Sequence, residues 1–202
     1  MDRLPASPST WHSPPQARVQ GPGVRPYPAQ YVGEWTLPDG APVTIRPIRP
    51  EDEPLMRDFH ERLSDQTVYL RYFHMIQLSQ RVAHEPLSHL CFTDFDREMV
   101  LVVEGKDATS GRRVILAVAR LSWTRTIGEG ELDLLVDDAY QRHGLGTELL
   151  RRLIVIGRGE GLCRITATML RDNHGMQRIC EQLGFELTYI LEDKDVLATL
   201  DL

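Results

Sequence analysis

Residues 131–159, which read ELDLLVDDAYQRHGLGTELLRRLIVIGRG, decide the fold because they join a strand pattern to a helix pattern. The apolar run within Glu131–Val136 predicts a strand buried in a sheet. From Leu145 onward, leucine and isoleucine recur at helical spacing, and arginine and glutamate occupy the other side. This arrangement predicts an amphipathic helix that packs on the sheet. The strand–loop–helix unit therefore indicates an α/β fold.

The loop of this unit, Gln141–Thr147, contains two glycines, Gly144 and Gly146. Glycines allow several backbone N–H groups to point one way, and a helix N-terminus adds a positive dipole end, so the loop suits a phosphate. It matches neither the P-loop pattern nor the three-glycine dinucleotide pattern. By spacing alone, a structural turn explains the loop as well as a phosphate cradle does.

Further strands and helices are predicted on both sides of this unit, and together they indicate a mixed sheet covered by helices. The predicted strands are Glu34–Thr36, Val43–Ile45, Met99–Val103, Val114–Leu121, Arg164–Met169, Phe185–Leu191 and Val196–Leu200. The predicted helices span Leu55–Leu63, a segment after Ser64 that carries Val68 to Phe73, Ser79–Leu90 with a break at Pro86, and a segment from Asp172 or Asn173 to Gly184.

Composition divides the chain into two parts. Of its 202 residues 42% are hydrophobic and 26% are charged, as in an ordinary globular protein. Eleven of the thirteen prolines fall in the first fifty residues. Residues 1–28, rich in proline, serine, glutamine and glycine, are predicted to be a flexible arm. Residues 29–202 are predicted to form one domain.

Charge and cysteine content exclude several classes of protein. The net charge is −6, so an acidic chain of this kind is not expected to bind nucleic acid. No apolar stretch is long enough to span a membrane, and no signal-peptide pattern opens the chain, so we expect a cytoplasmic protein. Three scattered cysteines, Cys91, Cys163 and Cys180, indicate neither a disulfide framework nor a metal site.

The loop also matches a family signature. Gln141, Gly144 and Gly146 fit the acyl-CoA motif [RQ]-x-x-G-x-[GA] of the GNAT superfamily of N-acetyltransferases. The likeness extends through GEGELDLLVDDAYQ at 128–141, DNHGM at 172–176, EQLGF at 181–185 and WTLPDGAPVTIRPIRPED at 35–52. Together these segments resemble the acetyltransferase domain of bacterial Pat-type protein lysine acetyltransferases, over roughly residues 29–202.

The resemblance implies the GNAT fold, a mixed central sheet with helices on both faces that is splayed between Glu131–Val136 and Arg164–Met169. Acetyl-CoA, the acyl donor, is expected to lie in the splay, with its pyrophosphate on the backbone of residues 142–147 and its pantetheine beside Leu134–Val136. Asn173 is expected to contact the cofactor or to cap the following helix. The implied acetyl-CoA contacts are Leu134, Leu135, Val136, Gln141, Arg142, His143, Gly144, Leu145, Gly146, Thr147 and Asn173.

Acetyl transfer to an amine requires a base, because a lysine side chain with a pKa of ~10.4 is almost wholly protonated at neutral pH. Glu131 stands where the Pat-type enzymes have their catalytic glutamate, although a solvated charge at a strand end also explains it. Asp133, two residues on, points to the same face of the strand and is expected to attract the substrate ammonium. A backbone N–H of Leu135 or Val136 is the expected oxyanion donor.

The sequence therefore predicts an acetyl-CoA-dependent N-acetyltransferase whose acceptor is the lysine side chain of a partner protein, with Glu131 as general base and no metal. One alternative is an enzyme that acetylates a small amine, such as a polyamine or an amino-sugar. The other is a domain that senses acyl-CoA without turning it over.

Overall fold

A computed structural model describes residues 25–107, 109–190 and 195–202. These residues form one mixed sheet of eight strands in the order β1-β2-β3-β4-β5-β6-β8-β7. All neighbouring strands are antiparallel except β5 and β6, which run parallel. The strands are β1 Gly33–Thr36, β2 Pro42–Pro47, β3 Glu98–Lys106, β4 Arg113–Trp123, β5 Glu129–Val136, β6 Arg164–Leu170, β7 Glu186–Tyr189 and β8 Asp195–Asp201.

Helices cover both faces of this sheet. On one face α5 buries its leucine stripe, including Leu149, Leu150 and Leu153, against β3, β4 and β5. On the other face Met56 and Phe59 of α1 pack with apolar residues of β3 and β4. The α-helices are α1 Glu53–Arg62, α2 Asp65–Tyr72, α3 Leu78–Arg81, α4 His84–Cys91, α5 Leu145–Gly159 and α6 His174–Gln182.

The sheet is splayed between its two parallel strands. β5 and β6 are paired only at their beginnings, and the last pair is Glu131 with Thr166. Beyond it β5 remains paired with β4 as far as Val136, and β6 remains paired with β8 as far as Leu170. The predicted splay is therefore confirmed.

The helical region between β2 and β3 differs in part from its prediction. The segment predicted as Ser79–Leu90 is two helices, α3 and α4, and Pro86 lies in the first turn of α4. A proline is tolerated there because its missing N–H would have no partner within the helix. α2 ends at Tyr72, and Phe73 follows it in the left-handed conformation with φ 64°.

The described part of the chain begins inside the predicted arm. Residues 1–24 and 191–194 lie outside the described residues, and so does the predicted end of the strand at Leu191. Arg25 forms an ion pair with Glu160 at 2.9 Å, and the Tyr27 hydroxyl donates to the Pro47 carbonyl at 3.0 Å. Residues 25–28, assigned to the arm by composition, thus pack on the domain. Within the described residues, no helix is long and apolar enough to cross a membrane.

Candidate active site

A cavity of about 600 Å³ opens where β5 and β6 part, and we name it the splay cavity. Its walls come from β5, the loop after it, the first turn of α5, β6, α6 and one side of α2. The residues of β5, the following loop and the first turn of α5 that line it are Leu132, Asp133, Leu134, Leu135, Val136, Tyr140, Gln141, Arg142, Gly144, Leu145, Gly146 and Thr147.

The backbone of the loop is shaped by two left-handed residues, Arg142 with φ 65° and Gly144 with φ 83°. Gly144 is the N-cap of α5, whose first-turn N–H groups have no acceptor within the helix and carry its positive dipole end. Gly146 is closely packed, since a Cβ there would lie 2.9 Å from Leu134 Cδ2 and 3.0 Å from Ile179 Cδ1 and these side chains would have to shift. A left-handed turn at a helix N-terminus is an arrangement that favours binding of a phosphate group.

The free edge of β5 follows from its pairing with β4. The Asp137 N–H donates to the Leu116 carbonyl at 2.9 Å. Hydrogen bonding alternates along an antiparallel strand, so the backbone of Leu135 also faces β4, while the N–H groups of Leu134 and Val136 face the splay. Of the two predicted oxyanion donors, only Val136 thus has its N–H in the splay.

A hydrogen-bond clamp joins α2 to the loop after β5. The Asp138 carboxylate accepts from the Ser64 N–H at 2.8 Å, the Ser64 hydroxyl at 2.7 Å and the Thr67 hydroxyl at 2.8 Å. Burial alone would raise the pKa of Asp138, but these hydrogen bonds lower it below its usual value. The Gln141 side-chain amide donates to the Thr67 hydroxyl at 2.9 Å and to the Val136 carbonyl at 3.3 Å.

The two carboxylates of β5 have different surroundings, although both lie on the face covered by α1–α4. Glu131 is exposed, and no hydrogen bond or ion pair to its carboxylate is found among the described residues. Asp133 has a side chain only 22% exposed. Its Oδ2 accepts from Arg71 Nη2 and from Arg120 Nη2, both at 2.6 Å. The charge of Asp133 is thus already compensated, whereas that of Glu131 is open to water.

The predicted acetyl-CoA contacts lie around the splay cavity with one exception. All of them line it except His143, whose Nδ1 lies 2.9 Å from the Gln141 carbonyl instead. Asn173 lines the cavity and also caps α6, because its Oδ1 accepts from the Met176 N–H at 3.1 Å. The two predicted roles of Asn173 are therefore compatible.

Sequence reasoning missed the walls that come from elsewhere in the chain. α2 contributes Thr67, Leu70 and Arg71, and α6 contributes Met176, Ile179 and Gln182 among others. The DNHGM segment at 172–176 indicated the start of α6, but no motif marked α2. Contacts of α2 with a strand some 60 residues away depend on the tertiary fold.

A second cavity of about 470 Å³ lies between helices α1–α4 and the opposite face of the sheet. It shares Arg71, Asp133, Leu134 and Leu135 with the splay cavity, so the two meet at β5. The remaining residues that line it are His60, Tyr72, Ile76, Gln80, Arg81, Pro86, Leu87, His89, Leu90, Glu98, Val118 and Arg120.

Two other predictions concern metals and cysteines. Within the ranges described, no group of three His, Cys, Asp or Glu side chains is placed to hold a metal ion. Cys180 is fully buried, and burial raises the pKa of its thiol to about 12. It therefore remains a neutral thiol in the core.

Sequence comparisons point to one family. The profile of the acetyltransferase (GNAT) domain matches residues 43–186. A Pseudomonas aeruginosa protein described as an acetyltransferase is 30% identical over 150 residues, which are 74% of this chain and 78% of that protein. Acetyltransferase Pat of Mycolicibacterium smegmatis is 28% identical over 184 residues, 87% of this chain but 48% of the relative. The chain thus spans about half of that relative.

Solved structures show the same architecture. The GNAT domain of S. lividans PAT is 26% identical, with a TM-score of 0.75 over 87% of this chain and 99% of that domain. Mycobacterium smegmatis RimJ, solved in complex with CoA-disulfide, is similar in fold at 20% identity, with a TM-score of 0.63 over 84% of this chain and 86% of RimJ.

Proposed function

Since the chain belongs to the GNAT acetyltransferase family and so uses acetyl-CoA to acetylate an acceptor, we propose that its acceptor is a lysine side chain of a protein and that Glu131 is the general base. The observation that carries the catalytic part is the contrast between Glu131 and Asp133. The likeness to proteins named Pat supports the choice of acceptor.

Acetyl-CoA would lie in the splay cavity. The proposed pyrophosphate contacts are the backbone N–H groups of residues 142–147, favoured by the left-handed turn and the α5 dipole. The backbone of Leu134 and Val136 that faces the splay has no strand partner and would pair with the amide groups of pantetheine, as an additional strand does at a sheet edge. This placement directs the thioester toward Asp133 and Leu135, where the two cavities meet.

The chemical step is a direct attack. The neutral amine nitrogen forms a bond to the thioester carbonyl carbon and the C–S bond then breaks. The proton that the nitrogen loses on becoming an amide passes through water to the departing thiolate, so coenzyme A is released as a thiol. Leu134 and Val136 present their N–H groups to the splay, and the one that pantetheine does not use would stabilise the oxyanion that forms on the carbonyl oxygen. Preorganised donors of this type stabilise the developing charge more than they stabilise the substrate.

Glu131 would take the proton from the acceptor ammonium. Its carboxylate has no hydrogen-bond or ion-pair partner among the described residues, while Asp133 is held by Arg71 and Arg120. Two residues of strand separate Glu131 from Asp133, about 7 Å, so the proton would pass from the amine to Glu131 through water. Glu131 and Asp133 lie on the same face of β5, so the path of the proton stays on the acceptor side of the thioester.

The acceptor is tested with a peptide that contains a single lysine and a control peptide in which that lysine is already acetylated. We expect free thiol to appear from acetyl-CoA only with the first peptide, and mass spectrometry to locate the new acetyl group on the lysine. Turnover with polyamines or amino-sugars but with neither peptides nor whole proteins would assign the small-amine activity instead. Binding of acetyl-CoA without thiol release from any amine would indicate a sensor.

A further inference from the structure

The second cavity carries an excess of positive charge. Three arginines line it, Arg71, Arg81 and Arg120, against two carboxylates, Glu98 and Asp133. Arg71 and Arg120 both bind Asp133, and Arg120 lies 3.7 Å from Glu98. The two carboxylates that line the cavity are therefore paired with Arg71 and Arg120, and neither of them is paired with Arg81.

Arg81 is buried and poorly partnered. It is 8% exposed, and its Nε and Nη1 are buried without a hydrogen-bond acceptor among the described residues. Its Nη2 lies 3.8 Å from Asp65, whose side chain is 76% exposed and belongs largely to the solvent. A buried donor without an acceptor is costly, and more so when it is charged. Such an arginine in a cavity wall is expected when a ligand supplies the missing acceptor.

His60 lies beside this arginine and adds a second unpartnered polar atom. It is 4% exposed, and its Nδ1 also has no partner among the described residues. Burial, helped by the charge of Arg81, lowers the pKa of His60 to about 4, so the ring is neutral at physiological pH. A neutral imidazole can donate a hydrogen bond to the group that Arg81 binds.

The position of the second cavity connects Arg81 and His60 to the proposed reaction. It shares Leu134, Leu135, Arg71 and Asp133 with the splay cavity, so a molecule in it reaches the segment of β5 beside the proposed thioester position. The occupant of the second cavity is then the acceptor. The surplus charge disfavours an ammonium there and favours the neutral amine that the attack requires.

We propose that Arg81, with His60, binds a carboxylate of the acceptor, so that the enzyme prefers lysines that have an aspartate or glutamate close by in the substrate protein. This inference rests on the proposed function, because it names a feature of the same acceptor. The same chemistry is offered by a small amino acid, whose carboxylate and amine belong to one molecule.

The test uses matched peptides that contain one lysine flanked either by glutamate or by glutamine. We expect kcat/KM to be roughly 10- to 100-fold higher for the glutamate peptide, the range that a hydrogen bond to a charged group supplies. A second pair, β-alanine and its amide, offers a small amine with and without a carboxylate.

Two variants change the preference in opposite directions. Arg81→Gln removes the guanidinium and is expected to bring the glutamate-to-glutamine ratio close to one. Asp65→Asn removes the carboxylate that competes for Arg81 and is expected to raise the ratio. Arg97→Gln, whose side chain is 85% exposed and lies outside the cavity, controls for the change in net charge. Thermal melting with acetyl-CoA checks that each variant is folded and binds the donor.

The outcomes separate the inference from the function on which it rests. Equal rates for the two peptides, or a preference that survives in Arg81→Gln, would overturn the inference and leave lysine acetylation intact. If neither peptide reacts but β-alanine outperforms its amide in an Arg81-dependent manner, carboxylate recognition holds and the protein acceptor is wrong. No carboxylate preference in either pair overturns the inference.

Discussion

At the scale of single residues, Asp133 is held in place by two arginines and Glu131 is not. Asp133→Asn leaves the partly buried Arg71 and Arg120 without their shared carboxylate. We expect the free energy of unfolding to fall by about 1–3 kcal/mol, the usual cost of a lost hydrogen bond to a charged group. Urea denaturation measures it. Glu131→Gln changes a residue on the same face of β5 that has no side-chain partner among the described residues, so it is the control and should denature like the parent. If Asp133→Asn is as stable as the parent, Asp133 has no structural role.

His60 gives the stability of the protein a pH dependence. Well above pH 6.5 its ring is neutral in both the folded and the unfolded state, so its contribution to stability is then fully present. As the pH falls toward about 4, the unfolded chain takes up a proton that the buried ring resists, and roughly 3 kcal/mol of stability is lost.

We therefore expect His60→Gln to lose less stability than the parent over this pH range. Urea denaturation of both proteins at several pH values measures the two slopes. Their difference is the informative quantity, since other groups titrate alike in the two proteins. Parallel slopes would show that His60 is protonated in the folded state as readily as in the unfolded state.

At the scale of elements, the turn between β5 and α5 depends on the backbone of Gly144. Its φ of 83° is strained for any β-branched residue, and a Cβ there would approach Trp35 at 3.4 Å. Gly144→Val is therefore expected to distort the loop and abolish the rise in melting temperature that acetyl-CoA produces by binding the folded state.

Gly40 offers a matched control for this loop. It has a similar φ of 87° with nothing within 4 Å of a Cβ, and it lies in the turn between β1 and β2. Gly40→Val should lower the melting temperature through similar strain but keep the acetyl-CoA shift. The same shift in Gly144→Val as in the parent would exclude the loop from the cofactor site.

The sequence predicts these elements better than it predicts their contacts. The strand and helix of residues 131–159 follow from apolar periodicity, and the loop from its glycines, because both signals are local. The clamp of Asp138 on Ser64 and Thr67 joins residues more than 70 positions apart, and no local pattern encodes it. No local pattern encodes the contact of Arg71 with Asp133 either. Periodicity therefore placed Glu131 and Asp133 on one face of β5 but could not distinguish their surroundings.

At the scale of the whole molecule, β5 of the splayed sheet lies between the two cavities. The donor would enter between β5 and β6, and the acceptor would enter beneath α1–α4, so that both reach β5 from different sides. Family resemblance was sufficient to predict the splay. The second cavity was not predicted, because it is formed by four helices whose packing depends on the finished fold.

Direct transfer within a complex of enzyme, acetyl-CoA and acceptor requires that one group take the amine proton at the acceptor side. Glu131→Gln keeps the size of the side chain and its hydrogen bonding but not its basicity. Acetyl-CoA should bind as it does to the parent, since the proposed donor contacts do not include Glu131. The effect should therefore lie in kcat and not in the affinity for the donor.

The most direct test of this account is kcat of Glu131→Gln and of the parent on a lysine peptide, measured from about pH 7 to about pH 10. We predict a deficit of roughly 10²–10⁴ at neutral pH, the usual contribution of a positioned base. The deficit should shrink as the pH approaches the pKa of lysine, because the solution then supplies neutral amine. Parental turnover by Glu131→Gln at neutral pH would contradict the account.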